Sequence, residues 1–241
     1  MNLKKPERVG LQNQSGWCPG CGHGVVTRLI AEAAEELGIS ENLVLVHDVA
    51  CGSLGTPNMR FDAIVAAHGR PIPTACGYER VRPENVACAY LGDGSAYSIG
   101  SAELLHAALR NENISVIVVN NTVYGMTGGQ MAPTSLPGEK TMSSVHGKDP
   151  AKYGTLNVAD ILGKLPIAYL ARGEIYDAAS TTKAKDMIKK AFENQMEEKG
   201  FSLVEVLAPC PTNLHMTPVQ TKEYMHTEAT KYLPLGVFVD N

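Results

Sequence analysis

The stretch that most constrains the fold of this chain runs from Leu91 to Gln130. It holds a Gly92-Asp93-Gly94 turn, a run from Ile99 to Arg110 with apolar residues at near-helical spacing, and the β-branched run ISVIVV at 114–119. The spacing predicts a helix, and the apolar run predicts a parallel strand that is buried on both faces. In this order, neighbouring strands end at one edge of the sheet, where α/β folds bind ligands.

The residues expected at that edge suit a magnesium diphosphate. Gly92 and Gly94 let the backbone approach a ligand, and the N–H groups of Gly94 and Ser95 are expected to face phosphate oxygens. A helix that begins just after the turn adds the positive end of its dipole. Asp93 offers a hard anionic oxygen to Mg²⁺, and Asn121, just past the next strand, is expected to meet the same ion.

These residues carry a resemblance. Gly92-Asp93-Gly94, followed at this distance by Asn120-Asn121, looks like the thiamine-diphosphate motif, whereas a lone Gly-Asp-Gly would be only a turn. The run VYGMTGGQ at 123–130 narrows the resemblance to the β subunit of the 2-oxoacid:ferredoxin oxidoreductases. The similarity extends from Trp17 to Phe238.

The resemblance implies roles for individual residues. The magnesium ligands would be Asp93, the side chain of Asn121 and the backbone carbonyl of Val123; the family often has Asp where this chain has Asn120, which is not an expected ligand. His68 is a candidate for a catalytic role on a loop bordering the diphosphate or the substrate, or it only braces that loop. The residues expected to bind the cofactor are Cys51, Gly52, Ser53, His68, Gly92, Asp93, Gly94, Ser95, Asn121, Val123, Tyr124, Gly125, Met126 and Thr127.

Four of the six cysteines are predicted to converge beside this site. Cys18 and Cys21 form a Cys-x-x-Cys pair, and Cys51 and Cys210 each follow a predicted strand at the same edge. Because disulfides are uncommon in cytosolic proteins, clustered cysteines favour metal or redox chemistry. Four Cys thiolates are the usual ligand set of a 4Fe-4S cluster, and in the resembled family the ligands of such a cluster fall on these four positions.

Other interpretations of the cysteines remain open from the sequence. The same four residues, or three of them with His23, also suit structural zinc, and spacing does not exclude it. A thioredoxin-like redox pair is less favoured, because no predicted strand precedes the Cys-x-x-Cys pair. Cys76 and Cys88 are expected to be small buried hydrophobic residues.

Length and pattern predict one main domain. A chain of 241 residues, 44% of them hydrophobic, suffices for a large core. Strands alternate with helices, which predicts an α/β fold with a doubly wound, mostly parallel sheet. The resemblance implies that this is a thiamine-diphosphate-binding domain of the PP type. Residues 1–211 are expected to form this domain with its cluster-binding loops, beginning with an arm at 1–16, and residues 212–241 a C-terminal extension that packs on the domain or a partner. The predicted strands are 43–47, 86–91, 114–119, 167–171 and 201–207, and the predicted helices are 25–37, 74–82, 99–110, 157–165 and 176–199, with long loops after Cys51 and Gln130.

Composition argues against several partners. The formal net charge is −4 and no dense Lys/Arg block is present, which disfavours nucleic acid. No apolar run approaches membrane-spanning length, and the N-terminus does not resemble a signal peptide. A cytoplasmic location without membrane contact is therefore expected.

The predicted function follows from the resemblance. Thiamine diphosphate serves as the electron sink when a 2-oxoacid loses CO₂, and a nearby cluster would select oxidation, with the acyl group passing to coenzyme A. An α subunit would supply the pyrimidine-binding domain and its Glu, and a ferredoxin-like subunit or ferredoxin would take the electrons. Residues 131–134 (MAPT) resemble the 2-oxoglutarate or branched-chain members. The alternatives are a non-oxidative thiamine-diphosphate-dependent decarboxylase or synthase subunit with structural zinc, and a regulatory module that binds the cofactor without turnover.

Overall fold

A computed structural model of the chain describes residues 6–9 and 16–241. The arm predicted at 1–16 lies outside the described residues, apart from 6–9 and 16.

The centre of the fold is a seven-stranded sheet. The strands of the described chain are β1 (Leu43–Asp48), β2 (Asp62–Ala66), β3 (Val86–Gly92), β4 (Ser115–Asn120), β5 (Val123–Tyr124), β6 (Gln130–Met131), β7 (Tyr169–Glu174), β8 (Ser202–Leu207) and β9 (Gly236–Asp240). The sheet order is β2-β1-β3-β4-β8-β7-β9, and β5 and β6 form a separate hairpin. All neighbours in the large sheet are parallel except β7 and β9. The predicted doubly wound, mostly parallel sheet is confirmed.

Helices cover both faces of the sheet. They are α1 (His23–Leu37), α2 (Pro71–Val81), α3 (Ser101–Leu109), α4 (Val158–Leu162), α5 (Ala178–Met196), α6 (Pro211–Leu214), α7 (Pro218–Tyr224) and α8 (Thr230–Tyr232). Alternate strand residues face opposite sides, so that Leu45 and Ile117 pack with α1 and α5, whereas Val46 and Val118 pack with α2, α3 and α4. Because both faces are covered, the central strands are buried almost along their whole length and are mostly apolar.

Several elements differ from the sequence-based expectation. The loop predicted after Cys51 instead holds a 3-10 helix (Cys51–Asn58) and strand β2. β2 is an edge strand with mostly exposed residues, so it lacks the continuous apolar run of the central strands. A π-helical turn at Ser95–Ile99 precedes α3, so helical structure begins directly after Gly94. The hairpin of β5 and β6 is too short to give a periodic signal.

The order of the strands creates a crevice at one edge of the sheet. From β1 the chain passes outward to β2, whereas from β3 it passes to β4 on the other side. The connections after β1 and β3 therefore diverge. Such a switch point, at the carboxyl ends of the strands, is where open α/β sheets bind ligands.

Residues after β8 return to the sheet. The helices α6, α7 and α8, with a π-helical turn at Met225–Ala229, lead to β9, which pairs antiparallel with β7. The division of the chain at residue 211 stays a prediction. Within the described ranges, no helix is both long enough and apolar enough to cross a membrane.

Candidate functional site

A cavity of about 290 Å³ lies at the switch point between β1 and β3. Its wall comes mainly from the segments that follow β1, β3 and β4. Every residue that the sequence predicted to bind cofactor lines this cavity, except Ser53. The Ser53 hydroxyl donates to the Ala50 carbonyl at 2.9 Å, so it braces the start of the 3-10 helix instead.

Asp93 is buried at the wall of this cavity, with 1% of its surface exposed. Burial, with smaller effects from the carboxylates of Glu205 and Glu139, raises the pKa of its carboxyl to about 7. The Thr134 hydroxyl and the Gly94 N–H lower this pKa, because both donate to the carboxylate. A carboxylate that is costly to ionise gains strongly from a nearby cation. Asp93 therefore suits a metal ligand.

The turn after β4 brings Asn121 and Val123 to the same cavity. Between them, Thr122 has a φ of 65°, a left-handed conformation that is an outlier for a β-branched residue. Its N–H donates to Asn120 Oδ1 at 3.1 Å, and its hydroxyl donates to the Asn121 carbonyl at 2.7 Å. Such strain persists only where the surrounding structure enforces it, and it clusters at functional sites.

Asn120 turns away from the cavity and holds a buried carboxylate. Its Nδ2 donates to Glu205 Oε1 at 2.7 Å, and neither side chain reaches solvent. An Asp at this position would place a second carboxylate against Glu205. The amide thus has a structural role in this chain, and the interpretation that Asn120 is not a metal ligand agrees with this geometry.

The cysteine loop at 18–21 docks beside Cys210. The Gly22 N–H donates to the Pro209 carbonyl at 3.0 Å, directly before Cys210. Two segments that are distant in the sequence are thereby fixed against each other.

Cys51 reaches the same place from the end of β1. The Trp17 indole N–H donates to the Cys51 carbonyl at 2.8 Å. A Cβ built on Gly125 would lie 3.2 Å from Cys51 Sγ, and Asn213 Nδ2 donates both to the Gly125 carbonyl at 2.9 Å and to Cys210 Sγ at 3.4 Å. Cys51 also lines the cavity, so of the four thiols it is the one that borders this cavity.

The four thiols affect one another electrostatically. Burial, and to a smaller extent the nearby Cys21, Cys210 and Cys18, raise the pKa of Cys51 to about 12. Burial likewise raises the pKa of Cys21 to about 11. In residues 6–9 and 16–241, however, no three His, Cys, Asp or Glu side chains stand close enough to hold one metal ion. The thiols share a neighbourhood, and their ionisation would need a compensating cation.

Comparison with known proteins decides the family. The family model described as thiamine pyrophosphate enzyme, C-terminal TPP binding domain, matches residues 47–206. The chain is 34% identical over 209 residues to the 2-oxoglutarate synthase subunit KorB of Archaeoglobus fulgidus, which covers 87% of this chain and 74% of that protein. It is also 34% identical over 197 residues to the 2-oxoacid:ferredoxin oxidoreductase 2 subunit beta of Aeropyrum pernix, covering 81% and 60%. The chain belongs to the β-subunit family of the 2-oxoacid:ferredoxin oxidoreductases.

Two further relatives bear on the extent of this β-subunit chain. It is 40% identical over 226 residues to the ketoisovalerate oxidoreductase subunit VorA of Methanothermobacter marburgensis, covering 93% of this chain and 47% of that protein. The chain thus spans about half the length of that relative. A solved 2-oxoglutarate:ferredoxin oxidoreductase from Magnetococcus marinus has the same fold, with a TM-score of 0.78 and 24% identity over the whole of this chain and 86% of that chain.

The structure adds Asp48 to the site of this β-subunit chain. Asp48 is fully buried at the end of β1 and lines the cavity. Burial raises the pKa of its carboxyl, and the Ser95 hydroxyl and the His68 ring lower it. The sequence did offer a signal, because Asp48 ends its strand much as Asp93 follows β3.

The histidines divide between cavity and support. His68 Nδ1 lies 3.8 Å from Asp48 Oδ2. The His68 ring is partly exposed and lines the cavity. Its catalytic role stays a prediction. His23 also lines the cavity, but its Nδ1 is hydrogen-bonded to the Tyr90 hydroxyl at 2.7 Å. Burial lowers the pKa of His23 to about 4, which keeps the ring neutral.

Arg70 braces the loop that carries His68. Its guanidinium donates to the Ile99 carbonyl at 2.9 Å and pairs with Glu103 at 3.1 Å. These contacts indicate that Arg70 supports the loop and does not face the cavity. Sequence reasoning also missed Thr122 and Thr134, since neither a single Thr in a turn nor one in an irregular segment gives a periodic signal.

Proposed function

We propose that this chain binds magnesium thiamine diphosphate and a 4Fe-4S cluster as the β subunit of a ferredoxin-dependent 2-oxoacid oxidoreductase. In the proposed reaction, a 2-oxoacid and coenzyme A give acyl-CoA, CO₂ and one proton, and two ferredoxins each accept one electron. The observation that carries the proposal is the wall of one cavity: Asp93 and Asn121 line it together with Cys51. The proposed diphosphate site would thus adjoin the set of four cysteines through Cys51.

The diphosphate half would be held by the residues after β3 and β4. Asp93, the Asn121 side chain and the Val123 carbonyl would hold Mg²⁺, and the backbone N–H groups at Gly94 and Ser95 would face phosphate oxygens. A Cβ on Gly94 would lie 2.4 Å from the Tyr124 ring, so only glycine lets this backbone approach so closely. Bound thiamine diphosphate would supply the electron sink for decarboxylation.

The cluster would be held by Cys18, Cys21, Cys51 and Cys210. Four thiols are the right donor set. A four-iron cluster is wider than a single ion, so its ligands need not stand at the close spacing that zinc requires. Cys51 borders both the cavity and the other thiols, so a cluster held there would lie beside bound thiamine diphosphate and could accept its electrons.

The remaining parts of the reaction call for partners. Among the described residues, the carboxylates that line the cavity are Asp48 and Asp93, and no Glu joins them. The proposal therefore keeps an α subunit with the pyrimidine-binding domain and its Glu, and a ferredoxin-like subunit or ferredoxin. The substrate would be 2-oxoglutarate or a branched-chain 2-oxoacid, types that the names of the relatives include. A cytoplasmic location stays a prediction.

One purification tests the proposal. We would co-purify the chain anaerobically with the products of neighbouring genes, measure iron, sulfide and zinc, and assay 2-oxoacids with coenzyme A and a viologen dye. We expect iron and sulfide in equal amounts and dye reduction that requires coenzyme A. Cys51→Ala should lower the iron content. Cys76→Ala should not, because Cys76 is not one of the four proposed cluster ligands. Bound zinc with decarboxylation that reduces no dye would instead support the non-oxidative alternative.

A further inference from the structure

Two adjacent hydroxyl groups join the halves of the proposed metal site. The Thr134 hydroxyl donates to Asp93 Oδ2, on the carboxylate that follows β3. The Ser135 hydroxyl donates to the Thr122 carbonyl, in the strained turn that follows β4. Both hydroxyl-bearing residues are fully buried. The segment 134–135 therefore contacts both the turn after β3 and the turn after β4. These two turns carry the proposed Mg²⁺ ligands, so their separation must be fixed for the ligands to meet one ion.

A buried lysine holds that segment in place. Lys148 is 2% exposed, and its ammonium donates to the Ser135 carbonyl at 2.6 Å, the Thr155 hydroxyl at 3.2 Å and the Pro133 carbonyl at 3.4 Å. An ammonium has three protons, so these three oxygens use all of them. The Thr155 hydroxyl also donates to the Ser135 carbonyl, at 2.8 Å.

The hydrogen-bond partners of Lys148 indicate what this buried charge does. Burying an ammonium is costly unless it is well hydrogen-bonded or paired with an anion. All three hydrogen-bond partners of Lys148 are neutral oxygens, and two of them are carbonyls of the segment 133–135. The charge therefore fixes the path of this segment at close range.

From these contacts we propose that Thr134 and Ser135, held by Lys148, form a clamp that positions the metal ligands. Thr134 binds Oδ2 of Asp93 and so fixes the orientation of the carboxylate that would hold the metal, while Ser135 fixes the turn that carries Asn121. Groups that hydrogen-bond to metal ligands in this way fix the orientation of those ligands. The clamp rests on the proposed function, and its residues are positioning residues that need not touch substrate.

The test is the Mg²⁺ dependence of thiamine diphosphate binding. We would use equilibrium dialysis at fixed thiamine diphosphate on the purified complex of this chain with its partner subunit. Mn²⁺ in place of Mg²⁺ would report the metal environment by EPR. We expect Thr134→Val to raise the half-saturating Mg²⁺ concentration by about 10–100-fold and to change the Mn²⁺ spectrum. Thr134→Ser, which keeps the hydroxyl, should bind like wild type.

Two further variants and a control complete the test. Ser135→Ala and Lys148→Met should weaken Mg²⁺ binding in the same direction, and they carry the comparison if Thr134→Val does not fold. Thr182→Val is the matched control, because it removes an exposed hydroxyl of α5 that donates to the Ala178 carbonyl at 2.8 Å. It should leave Mg²⁺ dependence unchanged.

The outcomes separate the clamp from the proposed function. If wild type needs Mg²⁺ and the folded Thr134, Ser135 and Lys148 variants bind it equally well, the clamp is wrong. If Thr134→Ser and Thr134→Val lose affinity alike, in step with a lower urea midpoint, Thr134 supports only the fold. If wild type binds no thiamine diphosphate with Mg²⁺, the proposed function fails and the clamp fails with it.

Discussion

Arg172 and Glu205 form an ion pair inside the sheet, with each side chain 1% exposed. The other guanidinium nitrogens donate to the Pro234 carbonyl at 2.9 Å and to Asn157 Oδ1 at 2.7 Å. Asn120 Nδ2 occupies the second carboxylate oxygen of Glu205. This buried network links the C-terminal segment to the turn after β4.

Arg172→Met should strongly destabilise the chain, because it leaves the Glu205 charge buried without its partner. Breaking a buried pair in this way costs about 3–5 kcal/mol. The measurement is the free energy of unfolding from urea titration of the complex. Lys231→Met is the matched control, since it breaks an exposed pair with Glu228, and such pairs contribute about 0–1 kcal/mol. Equal losses for the two variants would contradict the network.

Asp93→Ala and Cys51→Ala should separate the two cofactors. Asp93→Ala removes the carboxylate expected to hold Mg²⁺, so we expect thiamine diphosphate binding to lose its Mg²⁺ dependence while iron content stays unchanged. Cys51→Ala should show the reverse pattern. Iron analysis and equilibrium dialysis measure both quantities, with Asp62→Ala, an exposed residue of β2, as control. Unchanged Mg²⁺ dependence in Asp93→Ala would remove this residue from the site.

Gly20→Ala should disturb the cysteine loop more than a left-handed conformation alone explains. Gly20 has a φ of 77°, and a Cβ there would lie 2.5 Å from Pro218 Cγ. Gly38 has a φ of 71° but open space around its Cβ position. Gly38→Ala should cost about 1–2 kcal/mol for the left-handed backbone and leave iron content intact. Gly20→Ala should lower the free energy of unfolding by more than this and should also lower the iron content. Equal iron content in the two variants would show that close packing of Gly20 against Pro218 does not position the cysteine loop.

His47 should make the fold sensitive to acid. Its ring is fully buried, in edge-to-face contact with Tyr90 of the neighbouring strand and near His23, and burial lowers its pKa to about 4. Since the unfolded chain binds the proton more tightly, the contribution of neutral His47 to the free energy of unfolding should be fully present above pH 6.5. It should decrease as the pH drops towards 4. The loss is about 3 kcal/mol at most.

The comparison variant is His47→Leu, which carries no titratable ring. The free energy of unfolding of both proteins would be measured between pH 7 and 4, and the difference between the curves isolates His47 from other groups that titrate there. We expect the wild-type curve to fall more steeply. Parallel curves would show that His47 does not cause acid sensitivity.

The central fold was predictable because the evidence for it is local. The strands β1, β3, β4 and β8 are mostly apolar, since helices cover both faces, and α1 and α5 show clear helical periodicity. By contrast, β2 and β9 are edge strands that are partly exposed, so their sequences carry no such run. Their places depend on pairing with β1 and β7, which no local pattern within β2 or β9 specifies.

The sequence by itself determined the chemical groups of the site: a carboxylate and an amide at strand ends, glycines that admit a ligand, and four cysteines whose positions indicate metal or redox chemistry. Parallel strand order then made their meeting at one edge foreseeable. Only the tertiary structure decided the supporting contacts, such as Thr134 on Asp93, Lys148 on Ser135 and Asn120 on Glu205. These contacts are hydrogen bonds between residues in different segments, and their energy depends on burial and geometry that exist only once the chain has folded.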